Sequence, residues 1–223
     1  MDDETDFDVI IIGAGFAGAA TAFQLLKEGI EGDRILIVDR GEPIGSKNLT
    51  GGILWGRELD AFEEYLGNWE MDCPGIERCI NHKKVGFLSS EDALFVEGRF
   101  ASWDGTGDTD EPSQRASWSV LRAKADAWMA EKMEEAGIFV MAGMKIDQLN
   151  IDGLDHASYD ARDLTDPAED SGKGAAQKWK VDNLPKELVD KIRNGTIRGI
   201  VQDGDIMTSK VVVIAEGTNS VLT

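Results

Sequence analysis

The stretch VIIIGAGFAGAATAFQLLKEG, Val9 to Gly29, constrains the fold more than any other part of the chain. Residues 7–12, FDVIII, form a short apolar, β-branched run and read as a buried strand. Residues 15–28 read as a helix that Gly29 stops. RILIVD, residues 34–39, reads as a second buried strand, so strand, helix and strand fit the length of one βαβ unit. The turn between the first two elements holds Gly13-x-Gly15-x-x-Gly18. A lone GxGxxG is weak, but this one follows a strand, opens a helix and has Asp39 at the end of the next strand. Gly13 permits the tight turn, Gly15 lets a pyrophosphate approach the backbone, and Gly18 with Ala22 lets helix and strand pack closely. Ala14, Phe16 and Ala17 complete the turn and the start of the helix, whose N–H groups and partial positive charge suit phosphate. Asp39 can accept hydrogen bonds from a ribose, with Arg40 beside it. The pattern predicts a dinucleotide site on a Rossmann-like α/β domain; a purely structural turn is the alternative.

The same stretch imitates a membrane span, because Val9 to Leu26 carries no charge. Three glycines and Gln24 interrupt it, however, and its flank MDDETDFD is acidic where a signal peptide is basic. No targeting segment is expected, and the sequons NLT and NGT carry no weight without one. The chain has 42 acidic and 23 basic residues and a formal charge of -19. That charge repels nucleic acid and anionic lipid. It reads as a solvated surface suited to a high-salt cytoplasm, hence a halophilic source, with an acidic docking face as the alternative; unfolding measured against KCl separates them. Cys73 and Cys79 lie outside CxxC spacing and no His/Cys cluster surrounds them, so structural thiols are expected and no metal site.

Further along, residues 57–66 read as a short amphipathic helix and 84–98 as a hairpin turning at Ser89–Asp92. Residues 104–114 read as a loop. Ser117 or Ser119 is expected to cap a helix reaching Ala136, with Leu121, Ala125, Trp128, Met129, Met133 and Ala136 on one face. Residues 138–142 read as another buried strand, and about 151–178 as a polar surface excursion. A hairpin about Asp203–Gly204 leads into a last buried strand that delivers Glu216–Gly217. Domain organisation is therefore interleaved: 1–56, 115–150 and 196–223 bind the nucleotide, 57–114 begins a substrate-side domain, and 151–195 is an acidic excursion. The hairpin-bearing insertion replaces the further strand–helix alternation usual in nicotinamide-binding domains, which favours FAD.

Four segments resemble FixC-type flavoproteins, relatives of the electron-transfer-flavoprotein:quinone oxidoreductases within a group that includes geranylgeranyl reductases and flavin hydroxylases. They are DVIIIGAGFAGAATAFQLLKEG, VDRGEPIGSKNLTGGILWG, SVLRAKADAWMAEKMEEAG and KVVVIAEGTNSVL. The resemblance covers nearly the whole chain, least well at 151–195. It implies an FAD-binding domain of the glutathione-reductase and p-hydroxybenzoate-hydroxylase type, with an incomplete β-rich substrate domain. GSKNLTGG, residues 45–52, is the part most specific to FixC. There Gly51 and Gly52 would let backbone approach a flat ring, while Ser46, Lys47, Asn48 and Thr50 offer polar groups. Arg122 aligns with an arginine that contacts FAD in similar proteins, Met144 joins it as a candidate contact, and Glu216 replaces the group's Asp before Gly217. The bland alternatives are an exposed Lys47, an Arg122 paired with Asp126, and an ordinary turn at Glu216–Gly217. Trp55 is open between the flavin pocket and the surface; His82 and His156 read as surface residues.

By the same resemblance the chain would pass electrons from an electron-transfer flavoprotein to quinone, with a ferredoxin-like partner. It would be cytoplasmic, or peripheral on the inner face of the cell membrane. No catalytic side chain is identified. Similar proteins run well beyond 223 residues, so an N-terminal fragment is expected. The rival functions are reduction of isoprenoid double bonds, as in geranylgeranyl reductases, and a non-catalytic FAD-binding subunit.

Overall fold

The computed structural model describes residues 5–48, 51–55, 57–80, 82–98, 117–155 and 186–217. In chain order the elements are β1 (Phe7–Ile12), α1 (Phe16–Lys27), β2 (Ile35–Val38), β3 (Gly51–Trp55), α2 (Glu63–Leu66), α3 (Trp69–Asp72), β4 (Ile76–Cys79), β5 (Lys83–Leu88), β6 (Ala93–Gly98), β7 (Ser117–Leu121), α4 (Arg122–Glu135), β8 (Phe139–Met141), β9 (Gln148–Ile151), α5 (Lys186–Asn194), β10 (Ile197–Gln202) and β11 (Asp205–Ile214). Two units result: Met1–Ile44 with Met133–Thr223, and Gly45–Lys132.

The first unit is built on a sheet of order β8-β2-β1-β11-β10-β9. Its first four strands are parallel, and β10 and β9 continue it antiparallel. Parallel strands covered on both faces need unbroken apolar runs, and Ile10, Ile11 and all of Ile35–Val38 are buried. One core layer gathers Ile10, Ile12, Leu36, Val38, Ile146 and Ile200. Ala19, Ala22 and Phe23 of α1 are likewise sealed from solvent, and burying a side chain the size of Phe23 contributes about 1.5–3 kcal/mol. Ile12 stands opposite both Val38 and Ile214. The carboxyl ends of β1, β2 and β11 are thereby level, and the residues that follow them emerge together.

The expected hairpin about Asp203–Gly204 is present. Both residues have positive φ, 49° and 90°, the backbone of a tight two-residue turn that matches strand twist. The strand expected at 138–142 forms but is not buried: β8 is an edge with β2 as its neighbour, and Phe139 and Met141 are exposed. Likewise β11 is half-buried along much of its length. The sequence reading placed no element at β9, nor at α5, which falls in the stretch 151–195 read as an acidic excursion. Residues 156–185, most of the excursion expected at 151–195, lie outside the described residues, as does the loop expected at 104–114.

The second unit contains an antiparallel sheet of order β3-β7-β4. Ser117 and Ser119 therefore do not cap a helix. They belong to β7, a central strand in which Ser117, Trp118 and Val120 are buried, and α4 begins only at Arg122. Pairing on both sides outcompeted the local capping preference of serine. Ala125, Trp128, Met129 and Met133 make the buried face expected of the helix, while Leu121 sits in the strand and is exposed. The hairpin expected at 84–98 spans β5 and β6, and the Ser89 N–H donates to the Asp92 carbonyl at 2.8 Å across its turn. Val85 faces Val96 and Phe87 faces Leu94, and all four are exposed. The sequence division at 56/57 and 114/115 differs from the contact division at 44/45 and 132/133: β7 pairs with β4 as well as β3, which ties part of 57–114 to both.

Candidate cofactor site

The first unit assembles the glycine turn, Asp39 and the segment after β11. Gly13 has φ +106° and lies so close to the Ala215 carbonyl that no Cβ fits between them. A side chain at Gly18 would strike the Gly13 carbonyl. The turn is tied down by three hydrogen bonds: Gly13 N–H to the Val38 carbonyl at 2.7 Å, Ala215 N–H to the Ile12 carbonyl at 2.7 Å, and Ala14 N–H to Asp39 Oδ2 at 3.0 Å. Asp39 Oδ1 accepts the Gly41 N–H at 2.7 Å. Each carboxylate oxygen has a second lone pair, so a hydroxyl can still donate to Asp39.

Gly15 is the N-cap of α1 and brings no capping side chain, and the first turn holds no acidic residue. An anion meets the positive end of the helix dipole there without a competing carboxylate. Glu216 follows Ala215 against the turn, and Gly217 is exposed with φ +82°. Arg40 is exposed. The Met144 N–H donates to the Asp39 carbonyl at 2.9 Å while its side chain packs on the core layer.

The second unit holds the other expected residues. Gly45–Asn48 is a turn closed by the Asn48 N–H on the Gly45 carbonyl at 2.8 Å, with Ser46 and Lys47 exposed. Thr50 lies outside the described residues. Gly51 and Gly52 are exposed and open β3, opposite Leu121 and Val120. A Cβ on Gly52 would meet no described heavy atom within 4 Å. Packing among the described residues therefore gives no reason for glycine at this position. Arg122 pairs with Asp126 through Nε and Nη2, each at 3.0 Å, and the Asn48 side-chain amide donates to the same carboxylate. Asp126 is 1% exposed. Sequence reasoning treated it only as a surface partner of Arg122; its i,i+4 spacing was the one available signal.

Trp128 is buried, as expected of a core residue, and Trp55 and His82 are exposed. Burial pushes the Cys73 thiol above its ordinary value, and the nearby Asp126 carboxylate adds to the rise. Cys73 is thus a protonated structural thiol near neutral pH. Among the described residues no group of three His, Cys, Asp or Glu could hold a metal ion, and no helix is long and apolar enough to cross a membrane.

Residues 8–138 match the FAD dependent oxidoreductase (DAO) family. Protein FixC of Escherichia coli (strain K12) is 33% identical over 219 residues, 98% of this chain and 38% of FixC. The probable electron transfer flavoprotein-quinone oxidoreductase YdiS of the same organism is 27% identical over 217 residues, 97% of this chain and 38% of that protein. The chain thus spans 38% of the length of these relatives. Among solved structures, a geranylgeranyl bacteriochlorophyll reductase-like protein of Thermoplasma acidophilum has a TM-score of 0.56 at 16% identity, with 98% of this chain and 44% of that one covered. CtdE in complex with FAD and substrate also has a TM-score of 0.56, at 13% identity, with 96% and 39% covered. At such identities the likeness establishes the fold alone.

Proposed function

The chain belongs to the FAD dependent oxidoreductase family, and from that premise we propose that it is the cofactor-binding portion of a FixC-like enzyme that passes electrons from an electron-transfer flavoprotein to a quinone. FAD is its cofactor. The observation that carries the narrower reading is the 33% identity to FixC over 98% of the chain. When bound, the isoalloxazine accepts and releases the electrons; the chain's own residues bind and orient.

Gly13, Ala14, Gly15, Phe16, Ala17 and Gly18 are assigned to the pyrophosphate, and Asp39 with Arg40 to the adenosine ribose. Ser46, Lys47, Asn48, Thr50, Gly51, Gly52, Arg122, Met144, Glu216 and Gly217 are also assigned to cofactor contact. In functional terms 1–56, 115–150 and 196–223 bind the cofactor, 57–114 belongs to the substrate side, and 151–195 is a surface excursion. A ferredoxin-like partner and a peripheral position at the inner face of the cell membrane belong to the same proposal.

The test is the visible spectrum of the purified chain titrated with FAD. A flavin spectrum near one equivalent supports the reading; a folded, colourless protein sinks FAD binding by this chain. Anaerobic reduction of the loaded protein by an electron-transfer flavoprotein, followed by reoxidation with a short-chain quinone, tests the electron path. Flavin that neither reaction touches sinks the FixC-like assignment while leaving the cofactor in place.

A further inference from the structure

The second unit contains a side-chain joint that none of the assigned roles requires. Asp126 lies in the first turn and a half of α4 and is 1% exposed. A carboxylate taken this far from water is costly unless its charge and lone pairs are met. They are met by two segments far apart in sequence. Arg122 Nε donates to Oδ1 and Nη2 to Oδ2, both at 3.0 Å, in a side-on fork. The Asn48 side-chain amide donates to Oδ2.

The backbone is fitted to the same joint. Gly45 has φ +84°, and a Cβ there would lie 2.5 Å from the Ala123 carbonyl oxygen and 3.2 Å from Asp126 Cβ. Across the helix start, a Cβ on Gly75 would lie 2.6 Å from Ala125 Cβ, and the Leu121 N–H donates to the Gly75 carbonyl at 2.8 Å. The turn Gly45–Asn48 is thus pressed on the start of α4, with Asp126 beneath it. Both carboxylate oxygens are engaged and the side chain is sealed, so Asp126 acts through its neighbours.

We propose that Asp126 is a positioning residue, which locks the Arg122 guanidinium and the Asn48 amide in one fixed arrangement for contact with FAD. This rests on the assignment of Arg122 and Asn48 to the cofactor. The advantage is preorganisation: two long or rotatable side chains are held before the ligand arrives, so less freedom is lost on binding.

The experiment is a double-mutant cycle read as FAD dissociation constant, by flavin fluorescence quenching, with the apo-protein melting temperature measured alongside. Asp126→Asn keeps the shape, weakens the fork and should weaken FAD binding on the order of ten- to a hundredfold. In a background of Arg122→Ala with Asn48→Ala, the same change should have almost no further effect on FAD affinity while still lowering the melting temperature. An equal loss of affinity in both backgrounds, or none in the otherwise unaltered chain, overturns the proposal and leaves Asp126 a stability residue. Should Asp126→Asn not fold, Asp126→Glu replaces it: the charge stays, the carboxylate shifts by one methylene, and affinity should still fall. Retained affinity in that variant overturns the proposal equally. If the unaltered chain binds no FAD, the cofactor reading itself fails and takes this inference with it; if it binds FAD but Arg122→Ala and Asn48→Ala do not weaken binding, only the positioning role fails.

Discussion

The backbone N–H of Ala14 donates to Asp39 Oδ2 at 3.0 Å, so the glycine turn and the end of β2 are held as one piece. The other oxygen accepts Gly41 N–H at 2.7 Å. Asp39 is therefore both the proposed ribose ligand and the clamp of the turn that receives the phosphates. Asp39→Ala leaves two part-buried donors without their acceptor and should cost about 1–3 kcal/mol of stability for each one that water does not reach. It should also weaken FAD binding at least tenfold. Asp39→Asn keeps one good acceptor and should be milder on both counts. Denaturant unfolding of the apo-protein with an FAD titration separates the roles. Lost stability with unchanged affinity would make Asp39 a clamp only.

Gly52 tests the opposite case, a residue whose identity none of the described neighbours requires. Its strand backbone has no positive φ and a Cβ meets no described atom within 4 Å. Gly52→Val should therefore leave the melting temperature within a degree or two, or raise it, since a β-branched residue suits a strand better than glycine. FAD affinity should fall sharply if a flat ring lies there. A valine variant that binds FAD as before removes Gly52 from the site. Gly13→Ala is the control, because φ +106° and the Ala215 carbonyl leave a methyl group no place.

How much of this was legible in the sequence depends on how local the cause was. The tight turn at Gly13 and the close packing at Gly18 were legible because strand, turn and helix each impose their own residue types within one short unit. Asp203–Gly204 was legible for the same reason. Ser117 and Ser119 misled, since a serine before a helical run satisfies the rule for a cap, and the pairing of β7 with β3 and β4 is non-local. Asp126 hid behind a surface pattern: Arg and Asp four apart read as a solvated pair, and its burial depends on Gly45 and Gly75 packing against the helix start. The exposure of β8 could not be read either, because an edge strand and a central one share the same apolar run when short.

Arg57 joins the two buried tryptophans of the second unit. Its guanidinium carbon lies 5.9 Å from the Trp69 ring and 5.6 Å from the Trp118 ring, and those rings meet edge to face at 4.7 Å. Nε bonds Asp60 at 2.6 Å and Nη1 bonds Glu70 at 2.5 Å. Burial works against the guanidinium charge, but the bonds to Asp60 and Glu70 outweigh it and hold the pKa above its ordinary value. Glu70 is only 9% exposed, so Arg57→Met removes a cation from a poorly solvated carboxylate and should cost about 2–3 kcal/mol, below the full value for a wholly buried pair because Arg57 is partly solvated. Adding Glu70→Gln should recover much of the loss. A purely additive pair of changes in denaturant unfolding would mean that stacking on the tryptophans, not the ion pair, holds Arg57.

The last prediction concerns acid. Asp8 accepts Lys210 Nζ at 3.0 Å and Arg34 Nη2 at 3.0 Å, and these bonds hold its carboxyl below the usual range. Asp6 is lowered by the Thr208 backbone N–H first and its hydroxyl second. A carboxyl with a folded pKa below its unfolded value near 3.8 stabilises the fold above that value. The contribution is lost as pH falls through the folded pKa. Stability should therefore be level with respect to these two groups between pH 7 and 5 and decline below about pH 4. Asp8→Asn removes one of the groups, so its stability curve should be lower at neutral pH and shallower on the acid side. Molar salt should narrow the difference, because Lys210 is well exposed and exposed pairs are screened. Urea unfolding at pH 3, 5 and 7, in low and high KCl, measures all of this; an Asp8→Asn curve parallel to that of the unaltered chain would show that Asp8 contributes nothing to acid sensitivity.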